Sequence, residues 1–452
     1  MPGKMSHNTG TQEQEMARVY YTLYDKMLDY QRLKQGFQKV KAADGAPGID
    51  GQTTADFEQD LHGNLTTLLK QLREKSYRPL PVREVLIPKP DGGTRKLGLP
   101  TVRDKVVQQA LKSILQPICE PEFHPSSYAY RPNRSQHQAI AKAALFIRRY
   151  RMLQVVDIDI AKCFDKLDHS LIMRAFRRLI ADGSILNLIR MFLESGVMNC
   201  EGWRATSEGS PQGGVISPLI ANLYLNSFDQ FAKERGHRIV RFADDIRIFK
   251  YSRRGAENSL EQAKQYLEKE LRLSLNERKT RIVHADEGVD FLGVKIYPLY
   301  TSIQENRVAR LKQKVKAKTK RNNTSKNLKQ TIDELNPVIR GFINYYRIAN
   351  CKGKIAKIAK WIRRRLRAKQ LKLWKTRKKL RRRLRQLGYD APVTCCRMSY
   401  WASSLSKLAH IAIPNSYLHQ EMGLFDIASV PVGIPVLLPE GISVDMSRIR
   451  GP

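Results

Sequence analysis

The sequence predicts an α+β fold built around a ferredoxin-like sheet, and three features of the chain support this prediction. Between about residues 155 and 297, the patterns follow the order strand, helix, strand, strand, helix, strand, which is typical of a split βαβ sheet. Two of these strands carry acidic residues inside otherwise apolar, β-prone segments. Beyond residue 305 the chain becomes helical and strongly basic.

The charge of the chain indicates its class of partner. At 452 residues it is long enough for several domains with sizeable cores. Its formal net charge of +37 favours nucleic acid as the partner, because phosphate contacts dominate such binding. Residues 301 to 390 hold thirty Lys and Arg against four Asp and Glu, a net +26. That concentration predicts one basic arm or face rather than a uniformly basic surface.

Cysteine usage and hydropathy exclude other classes. The six cysteines form no C-x-x-C pair, so neither a zinc module nor a disulfide scaffold is predicted, and they indicate thiols in a reducing compartment. The N-terminal segment is polar, and no apolar run reaches the length of a membrane span. We expect a soluble intracellular protein with no membrane partner.

The first third of the chain is predicted to be helical with one hairpin. Apolar residues at three- and four-residue steps indicate a helix over 16–42, and a second helix is expected at about 54–75. In the segment 82–101, Asp91 and Gly92 separate two strand-like runs and predict a hairpin with a basic tip, although an ordinary solvated hairpin explains this segment equally well. Helices at 103–118 and 136–150 follow.

The two acidic strands carry the strongest chemical signal. In VVDIDI, residues 155 to 160, side-chain alternation places Asp157 and Asp159 on one face. In RFADDIRIF, residues 241 to 249, Asp244 and Asp245 lie at the bend between two strands. Acids are rare in buried strands unless they are paired or bind a metal.

If these strands are neighbours, Asp159 and Asp244 could hold two Mg²⁺ ions, with Mn²⁺ as an alternative, for in-line displacement at phosphorus. Asp245 need not be an equal ligand, because adjacent residues on a strand point in opposite directions. A structural and a functional role for Asp157 are both open. Asp165 and Asp168 are expected to begin or cap the next helix, and surface acids remain the default for any one of these residues alone.

The remaining elements complete the predicted sheet and its basic extension. A helical region at about 169–195 leads to a Gly-rich loop at 208–218, where Ser217 offers an N-cap and Pro218 a first helical residue. A helix at about 256–272 precedes the last strand of the sheet, VDFLGVKIY. One or two amphipathic helices are expected over 355–387, with Gly388 as their stop. A like-charge run of this kind repels itself without a polyanion, so we expect it to contact a nucleic acid. The candidate contacts are Arg363, Arg364, Arg365, Arg367, Lys372 and Lys375.

Seven blocks of sequence resemble a known family. In order, they are IPKPDGGTRKLGLPT, SYAYRPNRS, VVDIDIAKCFDKLDH, GSPQGGVISPLIANLYL, RFADDIRIF, LNERKT and FLGVKI. Together with the later segments NPVIRGFINYYRI and YWASSLSKLAHIAIPNSYLHQ, they resemble bacterial group II intron-encoded reverse transcriptase/maturases over roughly residues 33 to 430. This resemblance implies a right-hand polymerase. Its divisions would be an N-terminal extension (1–32), fingers (33–150), a ferredoxin-like palm (151–300), a helical thumb (301–388), a maturase-specific region (389–430) and a tail (431–452).

The resemblance also implies roles for individual residues. Asp159 and Asp244 match the metal-binding catalytic acids, Asp245 matches the second acid of the hairpin, and the backbone at Ile160 would lie against a metal. Lys89 and Arg95 match finger cations that bind the triphosphate, and Gln212 matches a residue that positions the incoming nucleotide. Phe164 matches the bulky residue that hinders ribonucleotides, and Lys279 matches the lysine proposed to protonate the leaving pyrophosphate.

The chain departs from the common form of the family at three positions. Phe242 stands where a tyrosine is usual, Cys163 where a phenylalanine is common, and Asp168 where an asparagine is common. The polymerase chemistry is expected to survive these changes. No C-terminal Cys/His cluster of the H-N-H endonuclease kind is present, so target-strand cleavage by this chain is not expected.

The primary hypothesis is therefore an RNA-directed DNA polymerase that uses an RNA template, a DNA or RNA primer and dNTPs. A second hypothesis is a splicing maturase that binds structured intron RNA and has little polymerase role. A third is a related reverse transcriptase recruited to phage defence or DNA repair. A bacterial cytoplasmic location, with association to the nucleoid, is expected in each case, and the oligomeric state is not determined by the sequence.

Overall fold

The computed structural model describes residues 19–88, 92–199, 202–320, 325–389, 403–433, 435–437 and 443–445. It divides the chain into two compact units. The first unit comprises Met1–Ser135 and Val156–Ile282, and the second comprises Gln136–Val155 and Val283–Pro452.

Capped helices open the first unit. A 3₁₀ turn at Tyr24–Met27 precedes the first α-helix, so the expectation of one continuous helix over 16–42 is wrong within the described residues. Asp29 starts that α-helix anew, because its side chain accepts a hydrogen bond from the backbone N–H of Gln31. Asp60 divides the next predicted helix in the same way. The helices are α1 (Tyr30–Ala43), α2 (Thr54–Gln59), α3 (Leu61–Arg73) and α4 (Val102–Cys119).

A four-stranded sheet, here called the finger sheet, contains the predicted hairpin. It consists of β1 (Val82–Pro88), β2 (Thr94–Leu99), β4 (Val197–Asn199) and β5 (Gly202–Arg204), in the order β2-β1-β4-β5. The antiparallel pairing of β1 with β2 confirms the hairpin, with Pro88 opposite Thr94. Its turn includes Lys89 and Asp91, which lie outside the described residues. The parallel pairing of β1 with β4 was not predicted.

A second four-stranded sheet, the palm sheet, carries the acidic strands. Its strands are β3 (Gln154–Asp159), β6 (Arg238–Phe242), β7 (Asp245–Lys250) and β8 (Arg281–His284), in the order β6-β7-β3-β8. The first strand of the motif thus lies between its third and fourth strands, as in a ferredoxin-like sheet. Its helices are α6 (His169–Arg177), α7 (Gly183–Glu194), α8 (Ser217–Glu234) and α9 (Arg253–Gln265). The predicted ferredoxin-like sheet is confirmed.

Two local expectations about this sheet are wrong. The fourth strand is Arg281–His284 and not VDFLGVKIY, which instead folds back on itself as a hairpin in another sheet. Ser217 is the first residue of α8 rather than its N-cap, because the cap position belongs to Ile216. Asp168 does cap α6, since its side chain accepts a hydrogen bond from the Leu171 N–H at 3.0 Å.

One hydrophobic core joins the helices of the first unit to its palm sheet. Helix α8 lies in this core on most of its faces, and Phe228 is completely buried. Ile158 on β3 and Ile246 on β7 are buried as well, on the two strands that bear the acids. Because interiors are close-packed, this core holds the two strands in a defined position.

The second unit is a small sheet followed by basic helices. Strands β9 (Val289–Phe291), β10 (Val294–Ile296) and β11 (Thr301–Ile303) pair in the order β11-β10-β9, and β12 (Pro435–Leu437) pairs with β13 (Ser443–Asp445). Gly388, predicted as a helix stop, adopts a left-handed φ of 78° just after the second basic helix. The helices are α5 (Gln136–Arg148), α10 (Glu305–Lys318), α11 (Leu328–Tyr346), α12 (Lys352–Trp374), α13 (Arg377–Gln386) and α14 (Lys407–Ala412).

No helix among the described residues combines the length and the apolar character needed to cross a membrane.

Candidate active site and nucleic-acid interface

The turn between β6 and β7 places the first catalytic candidate, Asp244. Strand β6 ends at Phe242 and β7 begins at Asp245, so Ala243 and Asp244 alone form the connection. Ala243 has a φ of +60°, a conformation that L-residues other than glycine rarely adopt. The Ala243 carbonyl accepts a hydrogen bond from Arg241 Nη1 at 3.1 Å. A strained but supported turn therefore presents Asp244 at the end of the sheet.

A fully buried ion pair between Arg241 and Asp229 supports that turn. Arg241 and Asp229 both have no exposed surface, and Arg241 Nη2 lies 2.6 Å from Asp229 Oδ2. Arg241 Nε donates to both carboxylate oxygens at 2.9 Å, and Nη1 also reaches Asn222 Oδ1 at 3.1 Å. Such a pair, with most of its hydrogen-bonding groups satisfied, fixes local geometry, whereas breaking one partner is strongly destabilising.

Asp159 ends β3, in the centre of the palm sheet, and three residues of one loop surround it. Asn276 Nδ2 donates to Asp159 Oδ2 at 3.0 Å, and Lys279 Nζ lies 3.4 Å from the same oxygen. The Asp159 carbonyl accepts from the Asn276 N–H at 2.8 Å, and pairing continues at Ile160 opposite Leu275. The LNERKT block thus packs directly on the end of the acidic strand.

The structure brings Asp159, Asp244 and Asp245 together. Burial raises the pKa of Asp244 above its usual range, and the charges of Asp245 and Asp159 raise it further. Burial also raises the pKa of Asp245, where the charge of Arg247 acts in the opposite direction. Each acid is therefore within electrostatic reach of the other two.

This cluster suits a hard divalent cation whose coordination shell is completed by oxygen atoms of a substrate. Among the described residues, no three His, Cys, Asp or Glu side chains are gathered as a ready-made metal cage. Magnesium is usually bound by one or two carboxylates together with substrate phosphates, so a complete protein cage is not required. Two partly buried carboxylates, Asp159 and Asp244, fit that donor set, because a cation between them would relieve their mutual repulsion.

Asp157 belongs to a different group of charges. Arg247 Nη1 lies 2.8 Å from Asp157 Oδ1 and also contacts Asp245 Oδ1, while Arg281 Nε lies 3.8 Å from Asp157 Oδ2. Burial raises the pKa of Asp157 to about 6, although both arginines favour its charged form. Asp157 is therefore bound by cations of the protein itself.

The finger sheet contributes Arg95. This exposed residue of β2 lies within electrostatic reach of Asp244, and so does the phenol of Tyr130. Lys89, the other predicted finger cation, lies outside the described residues. The structure therefore places one of the two finger cations at the acidic cluster.

Gln212 belongs to the Gly-rich loop, which contacts the finger sheet, and Phe164 is hydrogen-bonded to the same loop. The Gln212 carbonyl accepts from the Gly98 N–H at 2.7 Å, and the Phe164 carbonyl accepts from the Ser210 N–H at 2.8 Å. Gly213 has a φ of +120°, and an added Cβ would lie 2.5 Å from the Gly98 carbonyl oxygen, so only glycine fits there. The loop borders a cavity of about 270 Å³, whose charged and polar lining includes Lys96, Lys162, Asp165, Lys166, Glu208 and Gln212.

The predicted RNA-contacting residues of α12 and its C-cap, Lys375, are not equivalent. Arg364, Lys372 and Lys375 are exposed, and Arg363 and Arg365 are half-buried. Arg367 is only 4% exposed, and its Nε donates to the Ile413 carbonyl at 2.8 Å. The expectation that Arg367 lies on the RNA-binding surface is therefore wrong, because its guanidinium is used to tie α12 to the segment after α14.

Sequence reasoning missed a basic groove in the second unit. Helices α10 and α11 border a cavity of about 350 Å³. Arg307, Arg310 and Lys314 line it from α10, and Phe342 and Tyr346 line it from α11, with ring centroids 4.7 Å apart. Cations that follow a phosphate backbone, combined with aromatic rings for bases, are typical of single-stranded nucleic-acid sites. The sequence did contain a signal for this groove, because Arg310 and Lys314 follow Arg307 by three and seven residues and so share a helix face. The many other cations in this part of the chain obscured it.

Two further residues that contact the acids of the candidate site, Arg247 and Asn276, were also missed. Arg247 follows the hairpin acids by two residues, and strand alternation alone would have placed it on the face of Asp245. Asn276 lies in the LNERKT block beside Lys279, but nothing in its local sequence indicates a contact with Asp159.

Comparison with known proteins identifies two family matches along the chain. A family model described as reverse transcriptase (RNA-dependent DNA polymerase) matches residues 87–296, and one described as group II intron, maturase-specific domain matches residues 308–388. Protein YkfC of Escherichia coli is 35% identical over 299 residues, which cover 58% of this chain and 78% of that protein.

The group II intron-encoded protein LtrA of Lactococcus lactis is 28% identical over 351 residues, covering 63% of this chain and 58% of LtrA. Among solved structures, apo telomerase from Candida tropicalis is similar with a TM-score of 0.42 and 11% identity, covering 74% of this chain and 69% of that chain.

The fold and the acidic site define the class of this protein: it is an RNA-directed DNA polymerase with the α+β fold of right-hand polymerases. More particularly, the chain belongs to the group II intron-type reverse transcriptase/maturases, since the maturase-specific domain follows the polymerase domain. Reverse transcriptases of this kind generally use divalent metal ions, and their function entails binding an RNA template.

Proposed function

We propose that Asp159 and Asp244 are the catalytic acids of this reverse transcriptase, which extends a primer with dNTPs on an RNA template. The observation that carries the proposal is the convergence of three acids from β3 and the β6–β7 turn. The reaction joins the primer 3′ oxygen to the α-phosphorus of the nucleotide and releases pyrophosphate.

The residues of the site divide this work. Asp159 and Asp244 present carboxylate oxygens, with the backbone at Ile160, to two Mg²⁺ ions, for which Mn²⁺ is the alternative. When bound, these ions activate the attacking hydroxyl and neutralise charge on the leaving pyrophosphate. Asp245 is the neighbouring acid of the hairpin and forms an ion pair with Arg247.

Positive side chains around the acids bind the triphosphate. Arg95, within electrostatic reach of Asp244, contacts phosphate oxygens, and we assign the same role to Lys89. Lys279 has a 64% exposed side chain and a contact to Asp159, so it is able to turn and donate a proton to the leaving pyrophosphate. This assignment agrees with the general rule that phosphoryl transfer depends on positioning and electrostatics.

We assign the selection of the incoming nucleotide to Gln212 and Phe164. Gln212 positions the incoming nucleotide from the Gly-rich loop, whose backbone is fixed against Gly98. To Phe164, whose carbonyl accepts a hydrogen bond from the Ser210 N–H of the same loop, we assign the bulky side chain that hinders a ribose 2′-hydroxyl. A dNTP is thereby favoured over a ribonucleotide.

Primer extension by an Asp244→Ala variant tests the catalytic assignment. Loss of one of two shared carboxylates is expected to reduce kcat on an RNA template by about a thousandfold or more, whereas RNA affinity changes little. The matched control is Glu74→Ala, which removes an exposed acid of the α3 C-terminus that pairs with Lys70. Extension by Asp244→Ala at the rate of the control would refute the assignment.

We propose in addition that the chain acts as a maturase, binding structured intron RNA through its second unit. The maturase-specific match, the exposed cations of α12 and the groove between α10 and α11 support this role over recruitment to phage defence or DNA repair. The 389–430 region would contribute, and residues 390–402 of it lie outside the described residues. A bacterial cytoplasm that contains intron transcripts is the location that fits this proposal.

A further inference from the structure

We propose that Arg247 is a positioning residue that holds Asp245 out of the catalytic pair. The inference rests on the proposed function, because it assigns Asp159 and Asp244, rather than all three acids, to the metals. It concerns a residue that takes no part in the assignments above.

The side chain of Arg247 is buried against the palm sheet and is not exposed on its surface. Its residue exposure is 5%, and its Nη1 contacts Asp157 Oδ1 at 2.8 Å and Asp245 Oδ1 at a shorter distance. Nη1 also lies 3.0 Å from the Ile246 carbonyl oxygen. One guanidinium nitrogen therefore contacts a carboxylate of β3, a carboxylate of β7 and a backbone carbonyl of β7.

The strand pattern explains why these groups meet. Asp245 and Arg247 are two residues apart on β7, so their side chains leave the strand on one face. Strand β3, which carries Asp157, is the neighbour of β7, and β8, which carries Arg281, is the next neighbour. Charges of alternating sign thus cross three strands, from Arg247 to Asp157 to Arg281.

Asp244 is outside this row, because it lies in the turn and not on β7. The arginine thereby distinguishes two acids that are adjacent in sequence: Asp245 forms an ion pair with Arg247, whereas Asp244 lies in the turn, within electrostatic reach of Asp159. Lys279 provides a contrast, since its ammonium meets Asp159 at 3.4 Å from a side chain that is 64% exposed. A buried cation that contacts two carboxylates holds them in a fixed position, whereas an exposed cation on a flexible side chain can move away from its partner.

The experiment compares two arginines that contact the same acid. Arg247→Met and Arg281→Met each remove one positive charge near Asp157, and Arg247→Met also removes the ion pair with Asp245. For the full-length protein we would measure Mn²⁺ binding by electron paramagnetic resonance, the melting temperature, and kcat and KM for dNTP in primer extension.

For Arg247→Met, we expect Mn²⁺ binding to tighten by about fivefold or more, because Asp245 is released as an extra ligand and a repelling charge is lost. We expect kcat to fall at least tenfold while KM for dNTP stays within about twofold. For Arg281→Met, we expect a smaller change in Mn²⁺ binding, and kcat within about threefold of the wild type.

A double variant keeps the test valid if Arg247→Met fails to fold. Arg247→Met with Asp157→Asn removes the partners together, which leaves no excess negative charge on β3. Its kcat should remain low, because Asp245 is still unanchored. Recovery of wild-type kcat in the double variant, or equal behaviour of the Arg247→Met and Arg281→Met variants in both assays, would overturn the proposal.

Failure of the proposed function would look different. If the wild-type protein does not extend a primer, the catalytic assignment fails, yet Mn²⁺ binding still compares the two arginines directly. If the wild-type protein extends a primer and Arg247→Met lowers only the melting temperature, Arg247 is merely structural.

Discussion

Single residues with unusual backbone conformations flank both catalytic candidates. Ala243, just before Asp244, has a φ of +60°, and Lys162, three residues after Asp159, has a φ of +49°. Neither is glycine, so each conformation carries a local energetic cost that the surrounding contacts must offset. At Ala243 the compensation is visible, because Arg241 donates to its carbonyl from a buried site. The turn is thus defined by its neighbours more than by its own sequence.

This strain predicts the effect of Ala243→Gly. Glycine adopts positive φ without a Cβ clash, so the free energy of unfolding should rise by about 0.5–1 kcal/mol despite the greater freedom of the unfolded chain. Urea denaturation followed by circular dichroism measures the change, and kcat measures whether looser positioning of Asp244 reduces turnover. A loss of more than about 1 kcal/mol would show that the Cβ makes a needed contact.

At the scale of an element, Asp168 shows how one carboxylate can begin a helix and join distant segments. It caps α6 through the Leu171 N–H at 3.0 Å, and Arg272 Nη1 lies 2.6 Å from its other oxygen. Burial alone would raise the pKa of Asp168, but the hydrogen bonds from Ser170, Leu171 and Arg272 outweigh it and lower the pKa to about 2. The ionised form is therefore the one that stabilises the fold.

A pH titration of stability tests this cap. In Asp168→Asn the cap geometry is kept and the charge is lost, so at pH 7 the free energy of unfolding should fall by about 1 kcal/mol. The folded pKa of about 2 is below the ordinary aspartate value of 3.8, so the wild-type advantage is complete above about pH 5 and is lost as the pH falls towards 2. Curves for the two proteins that stay parallel down to pH 2 would contradict the assignment.

For the whole molecule, the distribution of charge determines how RNA binds. Much of the net +37 lies on the helices of the second unit, where α12, which carries exposed residues such as Arg364 and Lys372, contains no acidic residue. Arg367 is excluded from that surface by its bonds to Ile413 and Asn415. Binding through such a surface is driven by counterion release and must therefore depend on salt.

We expect the triple change of Arg364, Lys372 and Lys375 to glutamine to flatten the slope of log K against log salt by about two to three units. The matched control converts Lys34, Lys39 and Arg73, three exposed cations of α1 and α3, to glutamine, which gives the same change in net charge. Filter binding with structured RNA between 50 and 300 mM salt, on the order of the range over which such slopes develop, measures both. Equal slopes for the two triple variants would exclude α12 as the binding surface.

How much of the molecule could be predicted depends on the range of the interactions involved. The β1–β2 hairpin, the strand–turn–strand at Asp244 and the cap at Asp168 follow from short-range patterns, and the structure confirms them. The prediction of VDFLGVKIY as the fourth strand of the palm sheet was wrong. RIVH and VDFLGVKIY are both β-prone, and only tertiary pairing determines which of them joins the sheet. The prediction that Arg367 contacts RNA was wrong, because the charge of this residue is evident in the sequence and its burial is not.

The sequence by itself determined the chemical inventory: two acidic strands, a Gly-rich loop and a basic helical region in a defined order. Only the tertiary structure decided that Asp159, Asp244 and Asp245 lie within electrostatic reach of one another, that Asp245 and Asp157 both form ion pairs with Arg247, and that α10 and α11 border a basic groove. The physical reason is that alternation and capping act over a few residues. Strand order and burial, by contrast, result from packing between segments that are far apart in the chain.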